Sequence, residues 1–158
     1  MQDGAATITF FDRTYAEAFS LLVEARDYLA DRQRPDFEAA APTTQLVVSC
    51  ETMRLTTRLV QIMAWLLVQR AVHAGEIDAN EADRPERRLG GREICAGEGP
   101  WDLAGLPRRL LVLLERSQAL YNRVARLDEM VHIRTSQARD RADPGGPGPA
   151  EDSANVPV

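Results

Sequence analysis

Apolar residues recur at helical spacing in three separate parts of the chain. In the first part they follow one another at intervals of three and four residues, which places them on one face of an α-helix. Thr14 followed by Glu17 is a capping-box pair that marks a helix start, and Pro35 interrupts the pattern. We therefore predict a first helix over residues 14–32, preceded by an N-terminal arm over residues 1–13. The apolar face comprises Tyr15, Ala18, Leu22, Ala25 and Leu29.

The second part, residues 43–75, carries two apolar stripes. One advances in strict steps of four and three residues, and the other is two residues out of phase with it. At about 100° per residue the stripes lie about 200° apart, on opposite sides of one helix. We expect one stripe to face the other helices and the other to face a second copy of the chain, in a homodimer. The first stripe is Leu46, Cys50, Met53, Thr57, Val60, Ala64, Leu67 and Ala71. The second, which we take as the candidate dimer face, is Val48, Leu55, Leu59, Ile62 and Leu66.

The third part predicts another long helix, over residues 107–140. Pro107 suits the first position of a helix, where its missing N–H is not needed. From Leu106 to Val131, apolar residues again advance in steps of four and three.

Two shorter features complete the predicted fold. Asp78 with Glu81 is another capping pair and predicts a short helix over residues 79–84. Residues 143–158 contain four prolines and no apolar period, which predicts a disordered tail. The predicted fold class is therefore all-α. It is a three-helix bundle over residues 14–142 with two long helices, a short extra helix in the connection between them, and the disordered tail.

The composition excludes several catalytic chemistries. All 19 basic residues are arginines, so Schiff-base and P-loop lysines are excluded. The two histidines, His73 and His132, have no metal-binding spacing, and the two cysteines, Cys50 and Cys95, form no CxxC pair. No nucleophile elbow or Gly-rich nucleotide-binding motif is present. We predict a non-enzymatic protein with no catalytic residues, no cofactor and no metal site.

No segment of the sequence predicts contact with a membrane. The longest apolar runs, such as residues 62–68, fall well short of the about 20 residues that span a bilayer. The N-terminus lacks the basic region of a secretory signal. We therefore expect a cytoplasmic protein.

Charged residues form two stripes with a period of seven residues. Arg109, Arg116 and Arg123 flank the apolar face of the third helix, where they could meet nucleic-acid phosphates or pair with acidic neighbours. Nearby acidic residues favour ion pairs, and Arg-dependent nucleic-acid binding is the alternative function. The first helix carries an acidic stripe on its predicted outer face, which is either a solvated surface or a docking site for a basic patch of another protein. Its members are Glu17, Glu24 and Asp31.

A connection of about thirty residues joins the second and third helices and contains the irregular stretch RRLGGREICAGEGPWDLAGLP. Connections longer than about 12 to 15 residues are usually functional or disordered. Its glycines follow no predicted strand, so they lack the scaffold of a phosphate-binding loop. We expect an ordered loop at one end of the bundle that presents side chains to a protein partner. The candidates are Arg87, Arg88 and Arg92 in the loop, with Arg70 and His73 at the nearby end of the second helix.

Three blocks of the sequence, taken together, resemble the RcdA family, the regulators of CtrA degradation, formerly an alphaproteobacterial domain of unknown function. The blocks are YAEAFSLLVEARDYL, then RLVQIMAWLLVQRAVHAGEI followed by RLGGREIC, and finally LPRRLLVLLERSQALYNRVARLD. They cover most of the chain from Phe10 to Val131 in order and spacing. Each block alone would be an ordinary helix, and the combination carries the resemblance.

The resemblance implies a dimeric three-helix bundle that acts as a non-enzymatic adaptor. Such an adaptor helps to deliver substrates, including the cell-cycle regulator CtrA, to the ClpXP protease. It works with a receiver-domain primer protein of the CpdR type. The implied partners are therefore the ClpXP machinery, the primer and the protein cargo. No residue roles carry over, because the family has no catalytic motif to transfer.

Overall fold

Residues 2–97, 99 and 102–143 are described by a computed structural model, and the regular elements among them are all α-helices. The helices are α1 (Gln2–Asp31), α2 (Gln33–Ala39), α3 (Pro42–His73), α4 (Ala79–Ala82), α5 (Arg92–Cys95) and α6 (Arg108–Ala142). The long helices α1, α3 and α6 pack around one core, which confirms the all-α bundle. The predicted disordered tail lies outside the described residues from position 144 onward.

Local sequence signals account for most helix ends. α3 and α6 begin and end within two residues of the predicted positions. Asp78 caps α4 as predicted, because its side chain accepts a hydrogen bond of 2.7 Å from the backbone N–H of Asn80. α2 is not predicted by the sequence, because Pro35 interrupts the apolar pattern. Pro35 instead lies in the first turn of α2, where a proline is tolerated because no intrahelical N–H bond is required.

The predicted N-terminal arm is wrong, because α1 begins at Gln2 and residues 2–13 are helical. No proline interrupts this segment. Thr14, the predicted helix cap, is instead a buried residue within α1. The ring of Phe11 lies 5.8 Å from that of Trp65 and 5.0 Å from that of His73. These tertiary contacts reach one turn beyond the segment in which the periodicity is visible.

α1 runs antiparallel to both other long helices. Phe11 in the first half of α1 packs against Trp65 and His73 in the second half of α3. Two ion pairs join α1 to α6 in opposite chain order, Glu17 with Arg123 and Glu24 with Arg116. It follows that α3 and α6 are parallel. The chain between them must therefore return along the length of the bundle.

The connection between α3 and α6 makes this return along the side of the bundle. Its residue numbers rise as those of the α6 residues that it contacts fall. The successive contacts are Asn80 with Arg139, Asp83 with Arg139 and His132, Leu89 with Asp128, and Gly90 with Tyr121. The expectation of a loop confined to one end of the bundle is therefore wrong. The connection occupies the position that a fourth antiparallel helix would take in a four-helix bundle.

The assignment of the two α3 stripes is reversed in the structure. The candidate dimer face is the core side, because Val48, Leu55, Leu59, Ile62 and Leu66 are all at most 3% exposed. The other stripe faces outward, with Leu46 at 59%, Met53 at 71%, Val60 at 55% and Leu67 at 50% exposure. The physical reason lies in side-chain size. The core stripe consists of large aliphatic residues, whereas the outward stripe alternates them with Cys, Thr and Ala and so has less apolar area to bury.

Candidate functional site

Asp128 on α6 is the main anchor of the connection. Its carboxylate is buried, with 4% of the side chain exposed. One oxygen accepts hydrogen bonds from Trp65 Nε1 (2.8 Å) and the backbone N–H of Leu89 (3.3 Å). The other accepts from Arg88 Nη2 (2.9 Å) and Arg92 Nη2 (3.1 Å). A buried carboxylate is tolerated only with such compensation, so this residue ties α3, α6 and the connection together.

Arg58 on α3 is a second anchor, and its side chain serves only backbone carbonyls. It is 1% exposed, and it donates to the carbonyl oxygens of Cys95 (2.9 Å), Gly97 (2.9 Å) and Leu114 (3.4 Å). Burial lowers the pKa of Arg58, although an arginine remains charged at neutral pH. The guanidinium fixes the second part of the connection against α3 and α6. Sequence reasoning missed this residue, although an arginine inside an apolar helical run was a usable signal.

The Gly90–Gly91 pair allows the connection to approach α3 closely. A Cβ atom at Gly90 would lie 2.8 Å from Gln61 Oε1. Gly91 has a φ of 74° at the start of α5, and a Cβ there would lie 3.2 Å from the Cys95 sulfur. On the other side, the Tyr121 hydroxyl donates to the Gly90 carbonyl at 2.6 Å. The two glycines therefore serve close packing, in agreement with the sequence argument against a phosphate cradle.

A cavity of about 850 Å³, lined mostly by charged residues, lies between the connection and the second half of α6. We call it the connection groove. Asp83, with 5% of its side chain exposed, contacts His132 Nδ1 at 2.7 Å and Arg139 Nη2 at 3.4 Å. The groove wall thus consists largely of charged groups that already hold one another in place. Its lining residues are Asp78, Asn80, Glu81, Asp83, Arg84, Pro85, Arg88, Leu89, Arg92, Asp128, Glu129, His132 and Arg139.

The three predicted arginines of the loop have different positions. Arg88 and Arg92 line the groove and direct their guanidinium groups to Asp128. Arg87 instead forms an ion pair with Glu81 at 2.8 Å. Arg88 and Arg92 are therefore structural anchors first, with only their exposed edges available to a partner.

Arg70 and His73 do not line the connection groove. They line a separate cavity of about 220 Å³ beside the first half of α1. The Arg70 guanidinium lies 5.4 Å from the centre of the Tyr15 ring, a cation–π distance. The His73 ring packs against Phe11. These two candidates therefore pack on α1 and do not extend the surface of the loop.

Two members of the acidic stripe on α1, Glu17 and Glu24, lie at the edge of the contact with α6 and not on the predicted outer face. Glu24 accepts a hydrogen bond from Arg116 Nη2 at 3.0 Å, and Glu17 pairs with Arg123. The hydrogen bonds from Arg116 hold the pKa of Glu24 below its usual value. Glu17 and Asp31 are exposed residues, whereas Glu24 is half-buried. The buried face of α1 is turned relative to the predicted one and consists of Ala18, Leu21, Ala25 and Tyr28.

This rotation of the buried face of α1 also explains the positions of two arginines of α6. Glu17 lies four residues before Leu21 and Glu24 four before Tyr28, so each is only about 40° around the helix from a buried residue. They consequently reach Arg123 and Arg116 across the edge of the interface. These arginines, on which the nucleic-acid alternative partly depended, are thus neutralised within the chain.

The described residues offer little for catalysis or metal binding. His132 pairs with Asp83 while His73 packs on Phe11, so the two histidines belong to different sites. Burial raises the pKa of the Cys95 thiol, which favours the unreactive neutral form. Among the described residues, no group of three or more His, Cys, Asp or Glu side chains could hold a metal ion. Within the same residues, none of the helices has the length and apolarity needed to cross a bilayer.

Comparison with known proteins identifies the family. A family model described as a protein of unknown function, DUF1465, matches residues 3–153. The crystal structure of RcdA from Caulobacter crescentus CB15 superposes with a TM-score of 0.62 and is 39% identical in sequence. That match covers 78% of this chain and 91% of the RcdA chain. A search of curated proteins gives no significant match. The chain therefore belongs to the DUF1465 family and is an RcdA-family protein.

Proposed function

We propose that this chain is a non-enzymatic adaptor that helps to deliver protein substrates, such as CtrA, to the ClpXP protease in the cytoplasm. The observation that carries the proposal is the 39% identity to Caulobacter RcdA over 91% of that chain. The proposed partners are the ClpXP machinery, a CpdR-like receiver-domain primer and the cargo protein. The chain requires no cofactor in this role.

The construction of the bundle supports a binding role. Asp128 on α6 and Arg58 on α3 each hold a different part of the connection. A binding surface that is fixed in advance loses less conformational entropy when a partner docks. The connection groove, with its exposed edges of Arg88 and Arg92, is our candidate surface for one of the three partners.

Reconstituted proteolysis tests the proposal. Purified ClpXP, the primer and CtrA are combined with and without the full chain, and the rate of CtrA loss is measured. We expect the rate to rise when the chain is added. The Arg88→Ala/Arg92→Ala variant should lower this gain, whereas Arg26→Ala/Arg34→Ala should retain it, because these exposed arginines pair only with neighbours in sequence. An identical rate with and without the chain would refute the adaptor proposal.

We further propose that the chain forms a homodimer through the outward face of α3. Leu46, Met53, Val60 and Leu67 recur every seven residues and are at least half exposed. The residues between them on this face are Cys, Thr and Ala, whose small size allows two helices to approach closely. A seven-residue apolar repeat with this exposure is the pattern of a helix–helix seam.

Light scattering on purified variants tests the dimer. The unmodified chain should have the mass of two copies. Val60→Glu should give a monomer, because it places a charge in the centre of the seam. Val112→Glu is the control, since Val112 is 43% exposed on a different helix. A monomeric unmodified chain, or a dimer that survives Val60→Glu, contradicts this interface.

A further inference from the structure

The second half of α6 carries an exposed basic and apolar surface outside the connection groove. We call this surface the distal α6 face and define it as Arg126, Met130, Ile133, Arg134 and Arg141. At about 100° per residue these five positions fall within an arc of about 100° on one side of the helix. Met130 is 48% and Ile133 47% exposed, and the three arginines are exposed as well.

The arginines of the distal α6 face differ from their neighbours on the same helix. Arg116, Arg123 and Arg139 are each engaged by an acidic side chain of this chain. Within the described part of the chain, neither Arg126 nor Arg134 has an ion-pair partner.

Acidic residues are present only at the border of this face. On the Ile133 side, Asp140 is about 20° and Glu129 about 40° around the helix from Ile133. Glu129 also lies within ion-pair distance of Arg88 and Arg92. The centre of the face therefore consists of Met130, Ile133 and the uncharged Gln137, and three arginines against two acidic residues leave a surplus of positive charge around it.

We propose that the distal α6 face binds an acidic, amphipathic helix of a protein partner. Glu or Asp side chains of such a helix would meet Arg126 and Arg134, and its apolar side would cover Met130 and Ile133. The face extends over 15 residue steps, about 22 Å of helix, which is enough for about four turns of a partner. As a surface for one of the adaptor's partners, this inference rests on the proposed function.

The composition of the face favours a protein over a nucleic acid. Phosphate contacts require cations but gain nothing from an apolar centre, whereas helix-in-groove recognition requires apolar anchors. The net charge of −5 over the whole chain also opposes the approach of a long polyanion.

Two synthetic peptides test the chemistry directly. Both are amphipathic helices of about 20 residues, about 30 Å long, with Leu along one side. One carries Glu and the other Lys beside the Leu stripe. Binding to the full chain is followed by fluorescence anisotropy at low and high ionic strength. We expect the Glu peptide to bind at least about tenfold more tightly than the Lys peptide, with a preference that shrinks as salt is added.

The variant Arg126→Glu/Arg134→Glu should reverse this preference, so that the Lys peptide binds more tightly. The matched control is Arg26→Glu/Arg34→Glu, which makes the same change in net charge on α1 and α2, where these side chains are 69% and 87% exposed. It should retain the preference of the unmodified chain. Circular dichroism of each variant verifies that the bundle is folded.

Four outcomes would overturn the inference. The unmodified chain could fail to distinguish the peptides, or both double variants could change the preference equally. A DNA duplex could bind the face more tightly than the Glu peptide. The Glu peptide could bind only after removal of residues 144–158, which would make the chain's own tail the occupant.

The same variants, tested against ClpX, the primer and the cargo, separate this inference from the proposed function. Peptide selectivity without binding to any of the three supports the face and refutes the adaptor role. Binding to a partner that neither double variant alters, together with no peptide selectivity, supports the adaptor role and refutes the face.

Discussion

At the scale of single residues, the carboxylate of Asp128 accepts four hydrogen bonds from α3 and the connection. It joins a tryptophan of α3, two arginines and a backbone amide of the connection. In the sequence it is one of several acidic residues on a helix with a mixed charge pattern. Its burial could not be predicted, because that burial depends on a connection whose course the helix periodicity does not specify.

Replacing Asp128 with Ala should destabilise the fold strongly. The change leaves two arginines and a buried indole N–H without their acceptor, and breaking a buried ion pair typically costs about 3–5 kcal/mol. Glu129→Ala is the control, because Glu129 is adjacent to the same arginines but 51% exposed, and exposed pairs contribute about 1 kcal/mol or less. Urea unfolding followed by circular dichroism measures both free energies. Equal losses in the two variants would contradict the role given to Asp128.

Tyr121 gives a pH dependence in the alkaline range. Burial raises its pKa from 10.0 to about 12, so the folded state favours the neutral phenol. The stabilisation is therefore fully present below pH 10 and is lost as the pH rises towards 12. Tyr28 has its pKa raised to about 12 for the same main reason.

We expect the free energy of unfolding to fall between pH 10 and pH 12. Tyr121→Phe should make this fall shallower and leave the contribution of Tyr28. At neutral pH the variant should lose about 1 kcal/mol, the net value of the hydrogen bond to Gly90. Unfolding curves across this range measure both effects. If the free energy of unfolding of the variant fell as steeply with pH as that of the unmodified chain, ionisation of Tyr121 would not destabilise the fold.

At the scale of helices, the sequence predicts that α3 and α6 exist and where they end, but it does not predict which side of α3 is buried. Pro107 and the break after His73 are local signals, and α3 and α6 follow them. The choice between two apolar stripes on α3 is not local, because it depends on which side the neighbouring helices occupy. The sequence also does not predict that α3 and α6 run parallel. A connection without strong periodicity gives no sign that it travels the length of a helix.

Two adjacent positions on α3 test the corrected face. Leu59 is 1% exposed and Val60 is 55% exposed. Leu59→Glu should cost several kcal/mol, since it removes a core side chain and buries an unpaired charge. Val60→Glu should change the unfolding free energy of the isolated protomer by only about 0.5 kcal/mol. Chemical unfolding at a low protein concentration, where any dimer is dissociated, measures both values. A larger loss for Val60→Glu than for Leu59→Glu would restore the stripe assignment that the sequence suggested.

At the scale of the whole molecule, three long helices and one irregular segment make a bundle of four segments around one core. The irregular segment lacks the hydrogen bonds of a long helix, and side chains of the neighbouring helices supply partners to its backbone instead. Asp128 binds the amide of Leu89, Tyr121 the carbonyl of Gly90, and Arg58 the carbonyls of Cys95 and Gly97. The stretch rich in glycine is therefore ordered by residues far from it in sequence.

Hydrogen exchange shows whether the two anchors act separately. Arg58→Met keeps an apolar stem but removes the donors to Cys95 and Gly97. We expect faster amide exchange over residues 92–97 and little change at residues 88–90, which Asp128 and Tyr121 still hold. Asp128→Asn should produce the opposite distribution. Mass spectrometry of peptides from the exchanged protein gives the comparison. If either variant accelerated exchange equally along the connection, the segment would open as one cooperative unit. The surface that the connection offers to a partner would then form or be lost as a whole.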